Sequence, residues 1–308
     1  MRCARIGWTI ALLPLLAGAA DNAAMALRPD MFYSSDADGN ETQKIGLGWD
    51  WRHMDREHWL GLDVQHARFS GDGWSHEEQR VYGHAAGTFG KQVSDDTWRW
   101  QFKLGSNGDT ALGSASLHTE GPQRREIFFE RERLETEAAV ARNQMHNFLG
   151  AAIDLPFTSH LSSTLLGGYQ TFGDGNERVH ARANLVFVTV PSIGFSTQLR
   201  TRYYHDSEPY TGGYYSPPWY GEALGVLAIR RVIGGYSWRG AVGFGRQRSA
   251  DEDWKRARLM EFSFETPRRY QSSLRLNLGY TDTPVISDVG SSTNYSYRYA
   301  SIEAVIVF

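Results

Sequence analysis

Residues 97–104 read TWRWQFKL, and this stretch decides the fold class of the chain. From Trp98 onward every second side chain is large and apolar, and the side chains between them are polar or charged. Successive side chains of a β-strand point to opposite faces of the sheet. The stretch therefore predicts a strand with one apolar face and one polar face.

The same alternation of period two recurs along most of the chain. It predicts sixteen strands, at residues 27–36, 42–52, 58–70, 79–90, 96–106, 110–120, 124–133, 144–155, 160–172, 177–189, 194–205, 219–233, 236–249, 256–265, 269–282 and 294–308. The eighth and twelfth segments alternate less cleanly than the others. A helical turn is expected only within residues 134–143, so the predicted fold class is all-β.

The composition excludes several classes of protein. The formal net charge of the 308 residues is −3 and no run of Lys or Arg occurs, which argues against a nucleic-acid binder. Cys3 is the only cysteine, so no disulfide can form within the chain. One continuously apolar stretch is present and it lies at the N-terminus, so transmembrane helices are not expected elsewhere.

The N-terminal segment has the features of an export signal. Arg2 and Arg5 precede an apolar run over residues 6–17, and A-x-A cleavage patterns follow at residues 17–19 and 24–26. We expect cleavage after Ala26. This divides the chain into a signal peptide, residues 1–26, and a mature β-domain, residues 27–308. The mature chain would then contain no cysteine, which suits an oxidising compartment.

Two architectures expose alternating strands: a soluble sandwich or barrel, and a transmembrane barrel. The long predicted connections all follow odd-numbered strands, and they comprise residues 71–78, 134–143, 206–218 and 283–293. Bacterial outer-membrane barrels sort their loops in this way, with short periplasmic turns and longer external loops. The polar faces also carry arginines, such as Arg99 and Arg182, that a dry core could not bury unpaired.

We therefore predict a transmembrane antiparallel up-and-down β-barrel of about sixteen strands. Its interior would be aqueous, because a barrel of that size is too wide for side chains to fill. It would lie in the bacterial outer membrane, with the lipid of that membrane as its partner.

Several short stretches resemble elements of a known family. Residues 132–139 (ERLETEAA) resemble an R-x-x-V-E-T-x-x-A element, with Leu134 where Val is usual, and residues 172–177 (FGDGNE) resemble an F-S-D-G-N-R element. Residues 214–220 (YYSPPWY) and 243–247 (GFGRQ) resemble a Y-Y-S-P element and its downstream G-x-G-x-Q. With the terminal Phe308, the chain resembles the C-terminal barrels of biofilm exopolysaccharide export porins, of the poly-N-acetylglucosamine and cellulose export type.

The resemblance implies a conduit that exports a biofilm or capsule polysaccharide across the outer membrane. The family carries a large periplasmic helical-repeat region before the barrel, which handles polymer delivery and partner contacts, and we find no such region in this sequence. Either a separate periplasmic repeat protein or synthase complex supplies that function, or this barrel has a different role.

The candidate pore and exit lining lies on the eleventh strand and in the loop that follows it. Arg200, Arg202 and Tyr204 share one face of that strand, so we expect them in the lumen. The loop and the strand after it add four aromatic rings, Tyr214, Tyr215, Trp219 and Tyr220. Aromatic faces stack on the apolar faces of sugars, and phenol hydroxyls bond sugar hydroxyls. The alternative is that these rings belong to the aromatic girdle at the membrane interface, or pack the loop.

Residues 130–133 (ERER) place two acids on one face of the seventh strand and two bases on the other. One of the two faces is expected to line the lumen, where mixed charge would favour a neutral or zwitterionic polymer over a simple anion. The alternative is a ladder of ion pairs that holds the wall.

No catalytic, metal or cofactor site is predicted. His160 and Ser162 have the His-x-Ser spacing of outer-membrane phospholipases, but the surrounding motif of that family is missing. Residues 36–40 (DADGN) lack the later Glu of a calcium loop, so a β-turn is expected there. The histidines form no H-x-x-x-H pair with a carboxylate, which argues against a zinc site.

Two functions from different classes remain. The first is the polysaccharide export conduit. The second is a stand-alone outer-membrane barrel with a non-transport role, as an adhesin, a phage receptor or an envelope-assembly partner. A general diffusion porin is a further alternative to both.

Overall fold

The computed structural model describes residues 23–89, 94, 96–250, 252–269, 271–283 and 295–308. Its sixteen strands are β1 (Ala24–Asp36), β2 (Glu41–His53), β3 (Trp59–Gly71), β4 (Trp74–Thr88), β5 (Arg99–Ser106), β6 (Ala111–His118), β7 (Arg125–Arg133), β8 (Met145–Pro156), β9 (Leu161–Phe172), β10 (Glu177–Val190), β11 (Phe195–Asp206), β12 (Trp219–Ile233), β13 (Tyr236–Ser249), β14 (Lys255–Glu265), β15 (Ser273–Thr281) and β16 (Tyr297–Val307). A short helix, α1 (Glu137–Ala141), lies between β7 and β8, and a 3-10 turn over Pro191–Ile193 precedes β11.

The strands form one closed antiparallel barrel in which each strand pairs with its neighbours in the sequence. β1 pairs with β16 to close it, with Asp30 opposite Glu303 and Phe32 opposite Ser301. The predicted fold class, an up-and-down barrel of sixteen strands, is confirmed. No helix among the described residues is long and apolar enough to cross a membrane.

The two faces of the wall follow the alternation in the sequence. On β5, Trp100, Phe102 and Leu104 face outward, because each is paired with an outward residue of β4. Large apolar side chains are exposed on the outer face of every quarter of the barrel, for example Leu47, Leu149, Leu227 and Ile302. Polar and charged side chains fill most of the inner face. The predicted apolar-out, polar-in arrangement is therefore confirmed.

Among the described residues, the barrel has no central apolar core. Its described apolar clusters are small and lie against the wall. The largest comprises inward-facing side chains of β12, β13 and β14, namely Leu224, Val226, Ala228, Ala241 and Ala257. A second cluster joins two connections at one end of the barrel and is described below.

We call the end that carries the connections after odd-numbered strands the loop end, and the end with both chain termini the terminal end. The longest connections, residues 134–144, 207–218 and 282–296, lie at the loop end as predicted. Residues 284–294 lie outside the described residues, so most of the predicted loop 283–293 does too.

Several loop lengths differ from the prediction. Residues 71–78 were expected to form a long loop, but β3 and β4 run on to a two-residue turn at residues 72–73, where Gly73 has a φ of 80°. The strands extend beyond the apolar band, where the outer face is polar, so Ser75 and Glu77 are exposed and the alternation of hydrophobicity is lost. At the terminal end, the β4–β5 connection spans residues 89–98 and is longer than expected.

Of two further local predictions, one is confirmed and the other lies mostly outside the described residues. Residues 36–40 form the expected turn, in which the Asp36 carboxylate accepts hydrogen bonds from the backbone N–H groups of Asp38 and Asn40. The predicted signal peptide, residues 1–26, lies mostly outside the described residues. β1 begins at Ala24, before the expected cleavage point, and the position of cleavage stays a prediction.

The assignment of faces predicts opposite effects for arginine at adjacent positions of β15. Leu276 is paired with Phe264 and Ile302 on the outer face, whereas Asn277 is paired with Ser263 and Ser301 on the inner face. We expect Leu276→Arg to reduce the free energy of unfolding by roughly 2–4 kcal/mol, the cost of a charge in the lipid-facing band. Asn277→Arg should cost much less. Heat-modified migration of the folded barrel and unfolding in urea measure both, and equal losses would contradict the assignment.

The assignment of ends predicts a difference in accessibility on intact cells. Asp38 lies in an exposed turn at the loop end and Ser159 in an exposed turn at the terminal end. With a membrane-impermeant maleimide, Asp38→Cys should be labelled on intact cells, and Ser159→Cys only after the outer membrane is opened. The parent chain, whose only cysteine is Cys3, gives the background. Labelling of Ser159→Cys on intact cells would reverse the orientation.

Candidate functional site

The lumen contains a large central cavity of about 720 Å³. Residues of β1–β11 and β16 line it, so it spans the barrel from wall to wall. A second cavity of about 470 Å³ shares Phe32 and Lys103 with it and extends toward the terminal end. A third, of about 440 Å³, shares Leu166, Arg182 and Arg202 and lies beside β12 and β14. The three cavities therefore adjoin one another along the lumen, with lining residues in common.

Two phenyl rings lie flat against one wall of the central cavity. A Cβ atom added at Gly150 would come within 2.4 Å of the Phe128 ring, and one added at Gly168 within 2.5 Å of the Phe148 ring. These close approaches require glycine at both positions. The two rings are stacked on each other, with centroids 5.6 Å apart and an interplanar angle of 24°. Both rings line the central cavity, and the His180 ring lies across Phe148 at a centroid distance of 5.1 Å and an interplanar angle of 70°.

A second aromatic group lies on the opposite wall. Phe32 on β1 and Tyr297 on β16 line the same cavity, and Tyr299 lies between them at ring separations of 6.4 Å and 6.1 Å. β16 and β8 are eight strands apart in the sixteen-strand ring. Aromatic rings therefore face the central cavity from two opposed sides.

Charged groups surround these rings and most are paired. At the loop end of the cavity, Lys44 forms a 2.7 Å ion pair with Glu135, and Arg80 forms a 3.0 Å ion pair with Glu132. Of the residues in 130–133, Glu130 and Glu132 face the lumen and Arg131 faces outward, which agrees with the predicted separation of charges. Arg133 turns at the rim to pair with Glu78 at 3.0 Å.

Two charged groups of the cavity have no ion pair or hydrogen bond with any other described residue. Glu130 is an exposed carboxylate on β7, next to Phe148 across the strand pair. Arg182 is an exposed guanidinium on β10, next to Leu166 and Arg202. The central cavity therefore offers one acidic group, on β7, and one basic group, on β10, that no described residue engages.

The family-like stretches converge at the loop end rather than in the lumen. Leu134, Ala139, Phe172 and Tyr214 form one buried apolar cluster. The Tyr214 ring stacks on Phe172 at 4.3 Å, and its hydroxyl donates to Asp174 and accepts from Asn176. The Thr136 hydroxyl donates to the Gly213 carbonyl at 2.5 Å and also caps α1. These residues fasten the β7–β8 and β11–β12 connections to each other, and we call them the loop clasp.

The loop clasp also reaches across the barrel. Glu135 contacts both Lys44 and the Thr42 hydroxyl on β2, which lies five strands from β7. Arg178 on β10 pairs with Asp206 at 2.7 Å and donates to the Tyr215 carbonyl. The two connections therefore cover part of the loop end. Burial raises the pKa of Tyr214, so its hydroxyl stays protonated and continues to donate to Asp174.

The predicted aromatic lining is mostly structural. Tyr204 and Tyr220 point inward but are 3% and 1% exposed, and their rings stack at 5.0 Å. The Arg178 guanidinium lies 4.4 Å from the Tyr204 ring, and the Tyr220 hydroxyl donates to Gln247 at 2.7 Å. Tyr214 is 3% exposed within the loop clasp, and Tyr215 is half-buried with its ring edge toward Tyr220. Burial in this stack leaves Tyr204, Tyr214 and Tyr220 with almost no face for a sugar.

Trp219 is not in the lumen. It precedes the inward-facing Tyr220 on β12, so alternation turns it to the outer face, where the Arg248 guanidinium lies 5.8 Å from its ring. The predicted lining treated the loop aromatics as one group, but β12 begins at Trp219 and imposes its own alternation. Trp219 therefore fits the alternative to a sugar-binding lining, which is the aromatic girdle at the membrane interface.

The two predicted arginines do face the lumen. Arg200 forms a 3.0 Å ion pair with Glu261 and lines the third cavity. Arg202 lines both the central and third cavities, and its guanidinium lies 5.2 Å from the Tyr220 ring.

Sequence reasoning missed Phe128 and Phe148. The signal that could have identified them is an inward-facing phenylalanine opposite a glycine on the next strand, which requires the register.

The comparisons with known proteins agree with this geometry at the level of the fold. A solved structure titled "Bacterial polysaccharide outer membrane secretin" superimposes with a TM-score of 0.64 at 12% sequence identity, covering 93% of this chain and 99% of that one. The chain has the fold of an outer-membrane β-barrel. Pseudomonas aeruginosa OccK7 (OpdD) and OprD give TM-scores of 0.42 and 0.43 at 8% and 10% identity, each covering 93% of this chain, with 99% and 96% of their own chains covered.

No family model matches the chain, and no curated protein matches its sequence. The resemblance of the short motifs to exopolysaccharide export porins therefore stays a prediction at the level of the family. In the described part of the chain, no group of three or more His, Cys, Asp or Glu side chains is arranged to hold a metal ion.

The loop clasp predicts a selective effect of losing the Tyr214 ring. Removal of a buried aromatic side chain costs about 3–5 kcal/mol, and here that cost falls on the packing between two connections. Tyr214→Ala should therefore expose residues 134–144 to trypsin, which cuts after Arg142, while the barrel keeps its heat-modified migration. Tyr210→Ala, at a 63% exposed ring of the same connection, is the matched control and should leave the loops protected. Equal protection in the two variants would show that the ring does not hold the loops.

Proposed function

We propose that this chain is a conduit for export of a neutral or zwitterionic polysaccharide through the bacterial outer membrane. The observation that carries the proposal is the pair of opposed aromatic groups in the central cavity, Phe128 and Phe148 on one wall and Phe32 and Tyr297 on the other. Aromatic rings on opposite walls of one cavity can each contact a sugar that passes between them.

The backing glycines make this site suited to a moving polymer. A ring that lies flat on a glycine is held in place by the wall, so it loses little side-chain freedom when a sugar stacks on it. Each stacking contact contributes only about 0.5–1.5 kcal/mol. A conduit needs such weak and repeated contacts, because tight sites would trap a sliding polymer, as they would trap an ion in a filter.

The charges of the cavity support the polymer class. Lys44, Arg80, Glu132 and Glu135 compensate one another, which leaves Glu130 and Arg182 as the unengaged pair. One free carboxylate and one free guanidinium near the same aromatic wall favour a solute that is neutral or carries both signs of charge. In this proposal a separate periplasmic repeat protein or synthase complex delivers the polymer. The resemblance of the fold to a polysaccharide outer-membrane secretin is consistent with the proposal.

The general diffusion porin is the main competing function. The ion pair between Glu135 and Lys44 favours it, because it ties the β7–β8 connection across the lumen. A connection tied in this way narrows the passage for any solute. The two functions differ in whether sugars dwell in the pore. A diffusion porin passes small solutes without a saccharide-specific site.

The test is block of single-channel ion current by a defined oligosaccharide. Neutral chitohexaose should interrupt the current of the parent barrel. In Phe128→Ala/Phe148→Ala, the apparent affinity should fall roughly 5–100-fold, because two stacking contacts are lost. Trp100→Ala is the matched control, since the Trp100 ring also rests on a glycine, Gly87, but on the outer face.

Three outcomes decide between the functions. Block that weakens in the double variant and persists in Trp100→Ala supports the conduit. Ion current without any block in the parent barrel favours the diffusion porin. Stronger block by hexagalacturonate, an anion, than by chitohexaose would contradict the proposed polymer class.

A further inference from the structure

The outer face of β13 and β14 carries four arginines at the loop end, Arg246, Arg248, Arg256 and Arg258, which we call the arginine patch. They follow directly on the lipid-facing band. Phe244 and Met260, 60% and 50% exposed, are the last large apolar side chains before them on the two strands. The patch therefore lies where the apolar wall meets the polar layer of the membrane.

Two members of the patch face each other without a counter-ion among the described residues. Arg246 and Arg256 are direct cross-strand partners, and both side chains are exposed. Neither guanidinium forms a hydrogen bond or an ion pair with another described residue. Like charges directly opposite each other on a sheet are destabilising. The other two members are engaged: Arg258 pairs with Asp282 at 2.7 Å, and Arg248 donates to the Glu252 carbonyl.

Other outward-facing arginines of the loop end lack this arrangement. Arg68 pairs with Glu77 at 3.8 Å, and Arg131 donates to Asn147 and to the Ala111 carbonyl. On the neighbouring strand β12, Ala223 lies beside Arg246 and Gly221 beside Arg248, and the Trp219 ring lies 5.8 Å from the Arg248 guanidinium. Arg246 therefore has the small Ala223 side chain beside it, and no described residue neutralises the charge of Arg246 or Arg256.

We infer that the arginine patch is a binding site for the phosphate groups of an outer-leaflet glycolipid of the lipid A type. Guanidinium groups bind phosphate through two parallel hydrogen bonds, and two guanidiniums on adjacent strands can share one phosphate monoester. A phosphate between Arg246 and Arg256 would turn their repulsion into a bridge. The acyl chains of the lipid would then lie along Phe244 and the apolar wall beneath it. This site is on the outer face and does not depend on the transport proposal.

The site requires the loop end to face the external leaflet. Cysteine labelling at Asp38 and Ser159 tests that orientation independently of lipid binding. The outer-face arginines of the terminal end, Arg125 on β7 and Arg231 on β12, provide a matched pair at the opposite membrane boundary.

The experiment is native mass spectrometry of the purified full-length barrel with lipid A, in the parent chain, in Arg246→Gln/Arg256→Gln and in Arg125→Gln/Arg231→Gln. Bis-phosphorylated lipid A should bind the parent chain, and its affinity should fall at least about tenfold in the patch variant, through loss of charge-assisted hydrogen bonds. The terminal-end variant should bind like the parent chain. Equal affinity in the parent chain and the patch variant would overturn the inference.

Two further measurements separate the sources of the effect. Dephosphorylated lipid A should bind the parent chain as weakly as the patch variant, and equal binding of both lipid forms to the parent chain would overturn the role of phosphate. Displacement of lipid A by inorganic phosphate at millimolar concentration would show an ion site and overturn a lipid site.

In lipid-free detergent the patch variant should unfold at a temperature no lower than the parent chain, since the substitution removes a repulsion. Lipid A should raise the unfolding temperature only when Arg246 and Arg256 are present.

Discussion

The structure depends on one constraint: within a membrane every backbone N–H and C=O group must be paired inside the protein. A sheet of alternating strands satisfies this only if its two edges meet. Here β1 and β16 meet from Ala26 opposite Val307 to Asp36 opposite Tyr297, and Met25 and Phe308 exchange backbone hydrogen bonds at the end of the seam. Closure fixes the register around the ring, and the register decides which side chains face lipid and which face the lumen.

The same constraint explains how far the sequence could predict the fold. Alternation of period two is a direct consequence of a wall with lipid on one side and water on the other, so the number of strands and both faces could be predicted. The prediction was wrong where that contrast ends. Residues 71–78 extend β3 and β4 into water, and there Ser75 and Glu77 are polar on the face that was apolar lower down. Loop lengths read from hydrophobicity therefore overestimate the loops at the membrane boundary.

The candidate site was less predictable, because it depends on contacts between strands that are not adjacent in sequence. The alternation placed Arg200 and Arg202 in the lumen correctly. It could not show that Tyr204 and Tyr220 would be buried against each other and against Arg178. Nor could it show that Phe128 would lie on Gly150, since that requires the pairing of β7 with β8. The family-like motifs were prominent in the sequence, but their residues hold the loop clasp together, and the lumen is lined by residues outside them.

Different parts of the barrel therefore have different physical roles. The lipid-facing band and the closed hydrogen-bond network hold the wall in the membrane. The loop clasp ties two long connections across the loop end through Tyr214, Thr136 and Glu135. The central cavity is left with rings held on glycines, compensated ion pairs, and the unengaged charges of Glu130 and Arg182. On the outer face, the arginine patch lies apart from all three.

The central claim is that a sugar occupies the space between the two aromatic walls of the lumen. The most direct test is an experimental structure of the barrel with a bound oligosaccharide such as chitohexaose. The account predicts a pyranose ring stacked on Phe148, with Phe32 and Tyr297 facing it from the opposite wall. Oligosaccharide bound only on the outer surface of the loops, with the central cavity filled by water alone, would contradict it.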